Sequence, residues 1–68
     1  MTLEQLRMFV TVADLGSIAR AAEHLHKTQP AISIAIKRLQ DEFNLSLLQK
    51  SGNRLQLTQD GIRMLPHC

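Results

Sequence analysis

The sequence predicts a mainly α fold carrying one small β-hairpin: a three-helix core, a two-stranded hairpin and the start of a fourth helix. Several observations point to it. Apolar residues recur at three- and four-residue spacing in separate segments before Asn44. Those segments are bounded by residues that start or stop helices, namely Thr2, Gly16, Ser17, Thr28 and Asn44. Beyond Asn44 the apolar period drops to two around a Gly/Asn turn.

The first helix runs from Leu3 to Leu15, with Thr2 as its N-cap and Leu3, Leu6, Phe9, Val10 and Ala13 as its apolar stripe. Gly16 supplies the left-handed residue that closes it. Ser17 caps a second, shorter helix whose stripe is Ile18, Ala22 and Leu25, with small Ala19 and Ala21 allowing close packing. Glu23 lies too far along to close a capping box, so that cap rests on the serine alone. His26 and Lys27 leave room only for a tight turn. Thr28 then caps a third helix with Pro30 in its first turn, where the missing N–H does no harm. Ile32, Ile36, Leu39 and Phe43 line one face of it, and Asn44 can stop it in the left-handed conformation. Leu45 and Leu47, then Leu55 and Leu57, alternate around Ser51-Gly52-Asn53 and read as a hairpin. Thr58 caps a fourth helix starting at Gln59-Asp60, which Gly61 weakens and Pro66 cuts short.

Length and composition narrow the function classes. The 68 residues make one domain at most, and a chain this short buries only about 60% of its unfolded surface, so its stability is marginal. Phe9 and Phe43 are the only aromatics, which argues against a single-strand nucleic-acid platform built on stacking rings. The net charge of +2 and the pI near 9.2 are compatible with a polyanionic partner. One cysteine, Cys68, allows no disulfide within the chain and fits a reducing compartment. With no long apolar run and no basic-plus-apolar leader, the expected location is cytoplasmic and nucleoid-associated.

Two short helices around a tight turn, the second capped and polar on one side, describe a helix-turn-helix; with the hairpin as wing, the fold is a winged helix-turn-helix. On helix three, Gln29, Pro30, Ser33 and Lys37 cluster roughly 120° around from the buried stripe. A recognition helix needs that split, since one side anchors to the core while the other enters the major groove. Gln29 can pair with adenine, and the Ser33 hydroxyl suits a base or a phosphate. Arg20, Lys27, Lys37 and Arg38 stand where they can meet the phosphates of both strands. Arg54, beside Gly52 and Asn53, is the candidate for the neighbouring minor groove, whose narrow A/T-rich form draws arginine in. Lys50, expected at the hairpin's base, is a further phosphate candidate.

The stretch from Gly16 to Ser33, GSIARAAEHLHKTQPAIS, resembles the helix-turn-helix signature of LysR-type transcriptional regulators. So do the opening Leu3-x-x-Leu6-x-x-Phe9 and the ending Leu55-Gln56-Leu57-Thr58-Gln59-Asp60-Gly61, and the likeness covers essentially the whole chain. The resemblance implies sequence-specific binding of double-stranded DNA at a dyad-symmetric, A/T-flanked operator. It implies a bacterial regulator that dimerises through a linker helix and carries a separate effector-binding domain for a small molecule. It assigns base or backbone contacts to Thr28, Gln29, Pro30, Ser33, Ile34 and Lys37, with Arg54 as the wing residue. Taken with the charge placement, base or groove contacts are expected at Gln29, Pro30, Ser33, Ile34, Lys37 and Arg54, and phosphate contacts at Ser17, Arg20, Lys27, Thr28, Arg38 and Lys50. Residues 1–58 would form the DNA-binding domain and residues 59–68 the truncated start of the linker helix, leaving this piece monomeric or weakly associating.

The chain departs from the family in two residue patterns. Position 34, often arginine or another polar residue in the family, is Ile34, an apolar group nearly opposite the buried stripe that is expected to pack on a thymine methyl. The usual Phe-x-Arg of the first wing strand appears as Leu48-Gln49-Lys50, which exchanges a bidentate phosphate clamp for a point charge.

Other function classes find less support. A protein-docking module is the second reading, with Ile34 as exposed apolar area, but the polar, basic start of helix three speaks against it because interface cores are depleted of charge. No paired carboxylates, phosphate-cradling glycine loop or nucleophile–base set appears, so no enzyme and no cofactor are expected. His24, His26, His67 and Cys68 lack metal-ligand spacing, so no metal site is expected. Met1, Met8 and Met64 read as a start residue and gap-fillers.

Overall fold

The computed structural model describes residues 2–64. Its elements are α1 (Leu3–Leu15), α2 (Ile18–Leu25), α3 (Gln29–Phe43), β1 (Leu48–Ser51), β2 (Arg54–Leu57) and α4 (Gln59–Met64). The readings that rest on Met1, Pro66, His67 and Cys68 lie outside the described residues.

Local chemistry sets the helix boundaries. Thr2 Oγ1 accepts from the Gln5 amide at 3.0 Å, while the Thr2 amide donates to Gln5 Oε1 at 3.2 Å. This reciprocal capping box is one the sequence reading did not anticipate. Ser17 and Thr28 cap α2 and α3 without a reciprocal bond, their hydroxyls accepting from Arg20 N and Ala31 N at 3.2 Å each. Each of the three helices closes on a left-handed residue: Gly16 (φ 70), His26 (φ 56) and Asn44 (φ 54). Positive φ at a histidine is uncommon, and here it permits the abrupt exit from α2 that makes the turn of the helix-turn-helix.

Two apolar clusters hold the helices together. Met8 and Val12 of α1 meet Ala21 and Ala22 of α2 and Ile32, Ala35 and Ile36 of α3. The small residues at 21, 22 and 35 let the helix backbones come close. Phe9, Leu39 and Leu47 form the second cluster, with Leu6, Leu48, Leu57 and Met64 packed against it. Phe9, Val12, Ile32, Leu39 and Leu47 have no exposed surface, and each such burial contributes about 1.5–3 kcal/mol.

Three readings of the pattern need correction. The buried line of α1 is Met8, Phe9 and Val12, while Leu3, the first residue of the helix, is 83% exposed and only borders an open groove toward the end of α2. Phe43, expected in the α3 stripe, is 38% exposed, since the helix ends there and the chain turns away at Asn44. Leu45 and Leu47 precede β1 rather than belonging to it. Leu47 is drawn into the core while its amide and that of Leu48 donate to Gln40 Oε1 at 2.8 and 3.3 Å. A side chain of α3 thus takes up the amides of this segment, while Leu47 O accepts from Thr58 N at 3.0 Å across the hairpin.

β1 and β2 pair antiparallel, Leu48 with Leu57 through Ser51 with Arg54, leaving Gly52-Asn53 as a two-residue loop. Gly52 takes φ 64 and Asn53 does not, the pattern of a II′ hairpin turn, whose twist matches the strands. Thr58 then joins hairpin to α4. Its hydroxyl donates to Ser46 O at 2.6 Å and accepts from Gly61 N at 3.0 Å.

Candidate nucleic-acid interface

α3 is divided along its length. Ile32, Ala35, Ile36 and Leu39 are buried, whereas Gln29, Pro30, Ser33, Ile34, Lys37 and Arg38 are exposed. On a helix of 3.6 residues per turn these six occupy the outward arc. Glu23 is the single acid between Gly16 and Gln40, against Arg20, Lys27, Lys37 and Arg38. The acids of α3, Asp41 and Glu42, are held back at its C-terminal end. The face therefore offers hydrogen-bonding and cationic groups at its N-terminal part, and the helix dipole adds partial positive charge there.

Ile34 is 53% exposed on this arc, between Pro30 one turn before and Lys37 and Arg38 one turn after. It borders a shallow cleft shared with Thr2, Gln5, Met8, Ala35 and Arg38.

The flanking cations are exposed, with Arg20 on α2 and Lys27 and Thr28 in the turn before α3. Ser17, at the start of α2, is half-buried and engaged as a cap. Lys27 Nζ stands 3.2 Å from Glu4 Oε1, and Lys37 Nζ 3.8 Å from Asp41 Oδ2. All four side chains are solvated, and exposed pairs of this kind are worth about 0–1 kcal/mol. A phosphate can take either lysine at little cost.

Arg54 begins β2, and its side chain does not extend beyond the hairpin tip. A Cβ built on Gly16 would lie 2.7 Å from its Nε and Nη2, so the guanidinium rests on Gly16 at the C-terminal end of α1. Helix carbonyls carry partial negative charge at that end, which favours the cation. The Leu55 amide donates to Gly16 O at 3.0 Å and fixes the strand to the same point. Glycine at 16 thus serves both the left-handed helix end and the seat of Arg54. Lys50 pairs with Leu55, in the tip half of the hairpin rather than at its base.

Sequence reasoning missed Glu4, Asp41 and Gln40. The Lys37–Asp41 pair was legible as an i,i+4 spacing, whereas Glu4 reaches Lys27 only because α1 crosses near the turn. A second concave surface, an open groove of about 930 Å³ between α1 and the end of α2, is lined by Leu3, Leu6, Val10, Leu25, His26 and others. Among the described residues no cluster of three or more His, Cys, Asp or Glu gathers to hold a metal ion. No helix among them is long and apolar enough to cross a membrane.

Comparison with known proteins meets this geometry. The family model described as "Bacterial regulatory helix-turn-helix protein, lysR family" matches residues 3–62. The HTH-type transcriptional regulator CfxR of Cupriavidus necator is 46% identical over all 68 residues, which cover 22% of its own length. Among solved structures, the CbnR_DBD–DNA complex superposes with a TM-score of 0.86 at 35% identity, covering 93% of this chain and 72% of that one. The BenM_DBD/catB site 1 DNA complex does so with a TM-score of 0.88 at 33% identity, covering 93% and 70%. The chain spans 22%, 20% and 23% of the length of three curated relatives it matches.

Proposed function

This chain belongs to the lysR family of bacterial regulatory helix-turn-helix proteins, and on that premise we propose that it binds double-stranded DNA sequence-specifically and serves as the DNA-binding domain of a transcription regulator. The observation that carries the reading is the divided α3. Its outward arc carries Gln29, Ser33, Lys37 and Arg38 with no acid before Asp41, and it stands free of the core that fixes the helix. An exposed helix so charged fits the major groove. That similar chains have been solved in complex with DNA supports the DNA-binding reading.

In this reading Gln29, Pro30, Ser33, Ile34 and Lys37 face base edges. Ser17, Arg20, Lys27, Thr28, Arg38 and Lys50 meet phosphates. Arg54 leaves its seat on Gly16 and enters the adjoining minor groove. Residues 1–58 form the binding domain, and the chain from Gln59 begins a linker helix through which the whole protein dimerises on an A/T-flanked dyad operator. A small-molecule effector acts through a separate domain of the whole protein, which works in the cytoplasm, without enzymatic activity.

Fluorescence anisotropy with an A/T-rich duplex at several salt concentrations tests this. Affinity falls steeply with salt, as counterion release requires. Arg54→Ala weakens binding about tenfold or more, corresponding to the 1–3 kcal/mol typical of one specific contact. Binding that is absent at low salt, or unaffected by Arg54→Ala, contradicts the proposal or the role of Arg54 respectively.

A further inference from the structure

Ile34 puts a half-exposed isoleucine in the middle of a polar, basic helix face. β-branched residues lose χ1 freedom in a helix and lower its propensity. At 53% exposure, with Ile32 and Ala35 taking the core side, Ile34 gains only part of the burial that would offset this. Its neighbours on the arc are Pro30, Ser33, Lys37 and Arg38, all exposed. Pro30 and Ile34 together make a small apolar island ringed by hydrogen-bond donors.

We infer that Ile34 is a specificity-determining residue that recognises thymine through its C5-methyl group. The inference rests on the DNA-binding reading above and extends it to a particular base. Along the major-groove edges of the four bases only thymine presents an apolar group. Cytosine offers an amino donor and the purines offer N7 acceptors in the same groove, all of which lose water without gaining a partner against an isoleucine. The side chain is ready for such a contact, because in a helix its branched Cβ leaves essentially one χ1 rotamer. Ser33 and Lys37 beside it can donate to thymine O4 or to an adjoining base, so the methyl contact adds to polar contacts instead of replacing them.

The test uses the duplex that the chain itself enriches most strongly from a randomised library, with each thymine of the bound site replaced in turn by deoxyuridine. Deoxyuridine keeps every hydrogen bond and removes only the methyl. The expected result is a loss of about fourfold at one thymine, the value of one buried methylene converted to affinity. Ile34→Ala then binds the thymine and deoxyuridine duplexes equally, while Ile34→Val keeps a reduced difference. Thermal unfolding of both variants checks that they are fully folded at the titration temperature, because Ile34 also borders the cleft with Gln5 and Met8 of α1. Equal binding of every deoxyuridine duplex by the wild-type chain overturns the inference and leaves DNA binding intact. So does an undiminished methyl effect in Ile34→Ala. Failure to enrich any duplex, with no salt-dependent binding, overturns both readings together.

Discussion

Gly61→Ala is expected to lower the melting temperature by more than about 10 °C, although alanine is normally the better helix residue by about 1 kcal/mol. The cause is a backbone contact. A Cβ at position 61 would lie 2.2 Å from Leu47 O, 3.0 Å from Leu57 Cδ2 and 3.2 Å from Leu47 C. The obstacle is a carbonyl that cannot turn aside: Leu47 O accepts from Thr58 N at 3.0 Å, Leu47 N donates to Gln40 Oε1, and the Leu47 side chain is fully buried. Relief requires moving α4 off the hairpin and breaking the Thr58 cap, or displacing Leu47 from the core. Either route costs about 3 kcal/mol, and a domain of this size loses roughly 4–8 °C per kcal/mol. Thermal unfolding followed by circular dichroism measures it. An unchanged or raised melting temperature would mean that α4 does not sit against Leu47.

Gly61 also illustrates where sequence reading stops. The glycine was legible only as a residue that weakens α4, because the carbonyl it accommodates lies fourteen positions earlier in the chain. The three helices and their ends were legible, because caps, left-handed residues and apolar period are all local signals, and Thr28 with Pro30 marks the start of α3 without reference to anything distant. The wing was only half legible. Leu45 and Leu47 alternate as a strand would, yet Gln40 takes up the amides of Leu47 and Leu48, and β1 starts at Leu48. Of the candidate site, the outward arc of α3 followed by subtraction once the buried stripe was known. The resting place of Arg54 did not, since it depends on β2 meeting Gly16 across 38 intervening positions of chain.

Ser33→Glu is expected to reduce DNA affinity about 100-fold while leaving the fold as stable as before. Ser33 is exposed and lies near the positive end of α3, where a carboxylate is favourable. Glutamate there also stands four residues before Lys37, the spacing and order that stabilise a helix by about 0.2–0.5 kcal/mol. Stability therefore holds or rises slightly. On the DNA side the same carboxylate meets phosphates and acceptor-rich base edges and draws Lys37 away from them. Like-charge juxtaposition of this kind costs several kcal/mol. Anisotropy titration and thermal unfolding of one preparation separate the two effects. Affinity that falls by less than about threefold, a difference near 0.7 kcal/mol, would mean that Ser33 faces away from the duplex.

The central claim is that the outward arc of α3 is the surface that meets DNA, and amide chemical-shift mapping during titration with a double-stranded A/T-rich duplex tests it most directly. The expected perturbations concentrate on the amides from Thr28 to Arg38, excepting Pro30, with a second group at Gly16, Ser17 and Gly52 to Leu55 as Arg54 leaves its seat. Val10 and Leu25, in the groove between α1 and α2, stay unperturbed. Shifts centred on that groove, with α3 silent, would contradict the account and make the groove the interface.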